Sequence, residues 1–173
     1  GPACYGIGGR EPTVTDANLV LGYLSPHTYN AGRMQLDRKL AERAIEERIG
    51  RQLGISVEEA ASGIFRIVNE NMANAAKIHV AEKGKDPRNF SFVAFGGAGP
   101  IHAREIARLL GVGTLVVPLS AGVFSALGLL LAPLSIDLTR TRFEGLEAVN
   151  WSAVKTQYDA LQERAKEVIS AAG

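Results

Sequence analysis

Apolar residues in the first half of the chain recur at helical spacing, punctuated by polar caps and glycines. Thr15 or Asp16 can cap the run Ala17–Leu21, and Gly22 lies near its end, which predicts a short helix. Over residues 36–53, Leu36, Leu40 and Ala44 make one edge of an apolar face. Ile45, Ile49 and Leu53 make the other edge, and Gly54 takes the position just past the helix end. Ser56 followed by Glu59 is a capping box, with Ile55 and Ala60 placed as a hydrophobic staple. The helix it opens carries Ile64, Ile67, Val68, Met72, Ala75, Ile78 and His79 as an apolar stripe and stops near Gly84.

After Asp86-Pro87 the texture changes. Phe90–Phe95 reads as a short strand, and Thr114–Pro118 as a second. Between them come Gly96-Gly97-Ala98-Gly99-Pro100 and a helix over 100–110 with Gly111 behind it. A further apolar helix is predicted over 123–131, a third strand over 136–140 and a last helix over 151–170. In that last helix Val154, Tyr158, Leu161, Ala165 and Val168 share one stripe, which needs a partner. Strand, glycine-rich turn, helix and strand in succession make the fold class α/β with parallel pairing. The apolar stretch 121–134 is shorter than the roughly 20 residues a spanning helix needs, so it reads as a buried segment.

Composition narrows the functional classes. With 173 residues, 46% hydrophobic and 21% charged, the chain is large enough for one well-cored domain. A net charge of +1 gives no bulk electrostatic reason to expect nucleic acid or an acidic membrane as partner. The single cysteine, Cys4, excludes a disulfide framework, which points to a reducing, cytoplasmic setting. One cysteine and the scattered His27, His79 and His102 do not make a zinc site, so no metal ligands are assigned. The chain opens Gly1-Pro2 without a methionine, as expected of a processed chain or a piece of a longer protein.

The glycine turn is the candidate binding element. Glycines there allow positive φ and let a ligand reach the main chain, while the following helix offers unpaired N–H groups to a phosphate. Tight packing of a β–α turn explains the same residues equally well. No G-x-x-x-x-G-K-[S/T] is present, and His102 stands where a dinucleotide fingerprint would have its third glycine. The segment 118–126 carries no acid to hold a ribose. His102, in the first turn of the helix, could touch phosphate or substrate, or make a helix-start hydrogen bond. His79 reads as a core histidine and His27 as solvent-facing. Asp16 could serve the reaction, though helix capping is its ordinary role. Asn71 and Asn74 share a helix face beside Asn69; a helix–helix hydrogen bond or a nucleotide contact would explain them. Cys4 has no identifiable base and reads as a small buried thiol.

Several segments together resemble the hydantoinase A/5-oxoprolinase family, which includes N-methylhydantoinase subunits and acetone and acetophenone carboxylase subunits. They are Gly1–Gly6, Pro12–Gly22, Ile67–Ala73, Asp86-Pro87-Arg88, Val93–Pro100 with His102-Ala103, and Ser125–Leu129. The resemblance implies a portion of an actin-like ATPase (ribonuclease H-like) domain, with a mixed sheet flanked by helices. It places residues 1–145 in the C-terminal part of the nucleotide-binding domain and 146–173 in a helical extension. ATP with Mg²⁺ is the implied cofactor, met by the main chain of Gly96, Gly97, Ala98 and Gly99. The implied reaction is ATP-dependent hydrolysis of a cyclic amide, in company with a hydantoinase B-type subunit or domain. A homo-oligomer is also compatible. Asp16 and His102 are the candidate catalytic residues present, the remainder being expected in an N-terminal part outside this chain, which by itself is expected not to turn over. The alternatives are a ketone carboxylase subunit of the same family and a non-catalytic subunit-contact module.

Overall fold

A computed structural model describes residues 1–172, which form two units, Gly1–Ser125 and a second that begins at Ala126. In the first unit, Thr13 caps α1 (Val14–Val20): its hydroxyl accepts from the Asp16 amide, and the Asp16 carboxylate accepts from the Thr13 amide. The cap is therefore Thr13, ahead of the expected Thr15 or Asp16, because only a residue three places before an acid closes this box. Asp37 caps α2 (Arg38–Ile45), which runs through a π-helical turn (Glu46–Gly50) into the short α3 (Arg51–Leu53). The π turn inserts one residue into the spiral. Leu53, the last helical residue before Gly54, is exposed, and Gly50 is buried. Gly54 ends the helix at φ +67°, a left-handed conformation open to glycine.

The capping box of Ser56 and Glu59 opens α4 (Val57–Glu82) as predicted. Its inward face is rotated from the expected one. Ala61, Asn69 and Ala73 are buried, whereas Ile67, Ala75, Ile78 and His79 face outward, Ile78 being 61% exposed. The helix carries two apolar stripes, and α1, α2 and α5 (Gly99–Leu110) cover one of them.

Strands β1 (Ser91–Val93) and β2 (Thr114–Val116) pair in parallel with Phe92 opposite Leu115. Phe92 packs on Ala73, Ile106 and Leu110 between α4 and α5. The other face is bare, Val93 and Val116 being 49% and 43% exposed. Parallel sheets are ordinarily covered on both faces. A half-covered pair of strands is thus consistent with a partial α/β domain.

Among the described residues no further strand forms, so the sheet is purely parallel rather than mixed. Residues 136–140 carry no regular structure and pair with no strand, which makes them a connection and corrects the third strand expected there. Helix α6 (Phe124–Leu131) is apolar but holds no buried residue, contrary to the buried segment expected. Leu129 and Leu130 are 79% and 83% exposed. In the second unit α7 (Trp151–Ala172) half-buries Val154, Leu161, Ala165 and Val168. Tyr158, on the same stripe, is exposed.

Leu19, fully enclosed in the cluster of α1, α2 and α4, should carry stability that the exposed leucines do not. Leu19→Ala is expected to lower unfolding free energy by about 3 kcal/mol, and Leu130→Ala by less than about 0.5 kcal/mol, in urea titrations.

Candidate nucleotide-facing turn and the polar cluster behind it

The glycine turn joins β1 to α5. Gly96 sits at φ +94° and donates its amide to Ala121 O at 2.8 Å, so its glycine identity is conformational. Gly97 and Gly99 have no such need. Their φ angles are not left-handed, and a Cβ at either position would meet nothing within 4 Å. Packing within this chain therefore explains neither, although a tight-turn role accounts for Gly96. No side chain caps α5, whereas Thr13, Asp37 and Ser56 cap α1, α2 and α4. Among the described residues the Gly97, Ala98 and Gly99 amides find no protein acceptor. Pro100 removes one further donor at no cost in the first turn. The result is an exposed main-chain surface with free N–H groups and the positive end of a helix dipole, suited to a phosphate.

His102 points away from that surface, into the body of the unit, and is 5% exposed. Its Nδ1 lies 3.1 Å from Asn69 Oδ1 on α4, and its Nε2 lies 3.2 Å from Asn18 Nδ2 on α1. Its ring stacks on Phe65 at a centroid distance of 5.0 Å, and Phe65 in turn stacks on Tyr23. Burial holds the imidazole pKa below its ordinary 6.5, so the ring is neutral at pH 7.

Asp16 is also enclosed. Burial pushes its carboxyl pKa up, but hydrogen bonds from Thr13 and Cys4 outweigh that and hold it below 3.8. The carboxylate accepts from the Thr13 hydroxyl at 2.7 Å and from the amides of Cys4 at 2.7 Å, Thr13 at 2.8 Å and Ala3 at 3.2 Å. It anchors the N-terminal turn to α1. Cys4 lies against it, and burial first, then Asp16, pushes the thiol up to about 12, which leaves no thiolate at neutral pH.

The structure thus brings His102 together with Asn18 and Asn69 and sets Asp16 in a separate cluster with Thr13 and Cys4. Asn71 and Asn74 are exposed, so the buried asparagine of the trio is Asn69. Asn18 belongs to the cluster too; nothing in the sequence singles it out except its place beside Asp16. His27 faces solvent as expected, while His79, expected in the core, is exposed because its stripe of α4 is uncovered. Among the described residues no three His, Cys, Asp or Glu side chains gather as a metal site. A shallow depression of about 600 Å³ beside Gly6, Gly8, Arg10, Arg43 and Arg48 includes no residue of the glycine turn. Arg43 and Arg48 there are paired with Glu47 and Glu11. No helix of the described residues is long and apolar enough to cross a membrane.

A family model for hydantoinase/oxoprolinase matches residues 1–138. The chain belongs to this family. It is 52% identical over 129 residues to the acetophenone carboxylase gamma subunit of Aromatoleum aromaticum, covering 74% of this chain and 17% of that protein. It is 42% identical over 141 residues to caprolactamase subunit alpha of Pseudomonas jessenii, covering 82% of this chain and 20% of the relative. The crystal structure of the ATP-dependent caprolactamase from Pseudomonas jessenii superposes with a TM-score of 0.70 at 37% identity, over 96% of this chain and 24% of that one. The family member described here therefore spans about a fifth of the length of these relatives.

Two acid-sensitive groups follow from this geometry. A His with a depressed folded pKa stabilises the protein above its unfolded value, and that stability is lost as pH falls below about 6.5. The urea midpoint of the wild type should fall between pH 7 and pH 5, and fall less in His102→Gln. Asp16 contributes stability present above 3.8 and lost as pH drops through its lower folded value. Asp16→Asn, which turns an NH₂ group toward buried donors, should cost about 3 kcal/mol at pH 7 by the same titration.

Proposed function

We propose that this chain is the part of an ATP-dependent cyclic-amide hydrolase that holds the nucleotide on the main chain of Gly96, Gly97, Ala98 and Gly99. The observation that carries the reading is that Gly97 and Gly99 satisfy no conformational or packing need of their own chain. Close approach of something from outside the chain is the remaining physical reason for glycine there. The open, uncapped start of α5 supplies donors to match an anion. The half-covered parallel sheet and its likeness to caprolactamase support placing the chain in an actin-like ATPase domain completed by residues outside this sequence.

In this reading bound ATP would supply a phosphoryl group to the amide carbonyl oxygen; water adding to that carbon would let the ring C–N bond break to an amine and an acyl phosphate, which a second water would hydrolyse to carboxylate and phosphate. The glycine turn's amides orient the nucleotide and offset its negative charge; they perform no acid–base step. Among the described residues no three His, Cys, Asp or Glu side chains gather, and this reading assigns no Mg²⁺ ligand within the chain. Asp16 and His102 lie inside the unit and act through structure. The relatives named as subunits support a partner subunit, which this reading takes to be of hydantoinase B type. The 52% identity to a carboxylase subunit favours a second reading, activation of a ketone and bicarbonate by the same kinase-like chemistry.

Calorimetric titration with Mg-ATP and Mg-ADP tests the site, with Gly97→Val as the probe. A Cβ at 97 meets nothing within 4 Å, so circular dichroism should be unchanged while binding weakens by at least about tenfold. Equal binding by a folded Gly97→Val moves the nucleotide off the turn, and no binding by the wild type refutes autonomous recognition by this chain. ATP hydrolysis by the full-length complex stimulated by a lactam or hydantoin supports the hydrolase; stimulation only by ketone and bicarbonate supports the carboxylase.

A further inference from the structure

The direction of every hydrogen bond around His102 is fixed by a backbone carbonyl. Asn69 Nδ2 donates to Phe65 O at 2.8 Å, and a carbonyl can only accept. Asn69 therefore turns its Oδ1 toward His102, which requires the proton on Nδ1. Nε2 is then bare and accepts from Asn18 Nδ2. The donors run in one sense, from α1 through α5 to α4. Asn18 is itself held, its main-chain carbonyl accepting from the amides of Tyr23 and Leu24. Its Oδ1 ends the chain, buried without a protein partner.

Both ring nitrogens are thus engaged by other helices, and one ring face is covered by Phe65. Nothing on the ring remains to meet a ligand. Yet His102 sits in the same first turn whose amides open at Gly97–Gly99, and that turn has no side-chain cap to fix it. We propose that His102, with its proton on Nδ1, is a positioning residue that fixes the start of α5 and the glycine turn against α1 and α4 through Asn18 and Asn69, without contacting nucleotide. This rests on the reading that nucleotide meets Gly96–Gly99. The ring's hydrogen-bond and stacking partners, Asn18, Asn69 and Phe65, are all uncharged. Protonation at Nε2 replaces an acceptor by a donor facing Asn18 Nδ2 and severs the α1–α5 link.

The test has a ligand-free arm and a ligand arm, both on the 173-residue chain. Nitrogen-15 imidazole spectra should show His102 protonated at Nδ1 and bare at Nε2. Asn69→Ala should displace the amide resonances of Gly96, Gly97, Ala98 and Gly99, while the exposed neighbour Asn71→Ala leaves them in place. An Nε2–H tautomer, or turn amides indifferent to Asn69→Ala, overturns the proposal. In the ligand arm, His102→Ala and Asn69→Ala should each weaken Mg-ADP binding by about tenfold, and the double variant by no more than either. A full extra loss from His102→Ala in the Asn69→Ala background means that His102 touches the nucleotide, which also overturns it. If His102→Ala unfolds, Asn18→Ala runs the same cycle with one bond removed. Wild type that fails to bind Mg-ADP sinks the nucleotide reading alone; the tautomer and the turn amides still decide the role of His102.

Discussion

Two apolar clusters in the first unit are joined by a polar seam. One cluster is built from Leu19, Ile45 and Ala61 on α1, α2 and α4; the other from Ala73, Ile106 and Leu110 on α4 and α5. Asn18, His102 and Asn69 lie where these elements meet, and every bond among them has a defined direction. Apolar packing alone tolerates sliding and repacking. A buried hydrogen-bonded network does not, because each misaligned partner leaves a desolvated group unmatched. The seam therefore sets the relation of α5 to the rest of the unit, and with it the aim of the free amides at the glycine turn.

Asp16 performs a comparable service at the N-terminal turn. Its carboxylate gathers amides that are distant in sequence, from Ala3 and Cys4, onto the first turn of α1. Both clusters bury ionisable groups in structural bonds, Asp16 with backbone amides and His102 with two asparagines. They organise main chain, and the chemistry attributed to the family is consistent with main-chain recognition of a nucleotide.

What the sequence made legible was local. The Ser56–Glu59 box, the glycine past Leu53 and the strand–turn–helix–strand order depend on residues a few places apart, and they stand as expected. What failed depends on what covers what. Helix α4 has two stripes that could each be the core, and periodicity cannot choose between them. Asn69 was one of three neighbouring asparagines until α5 brought His102 against it, and Asn18 had no signal of its own. The third strand needed a neighbour that does not come. The glycine turn stands out as a motif, but that Gly97 and Gly99 are not required by their own chain shows only in the fold.

The π turn at Glu46–Gly50 has an implication for chain length. Such a turn is a single extra residue absorbed by a helix without disturbing either flank. Loss of one residue there would restore a plain α-helix while Ile45 stayed inward and Leu53 outward. The segment is thus a reversible length register: descendants of this sequence can differ by one residue at this point and still superpose before and after it.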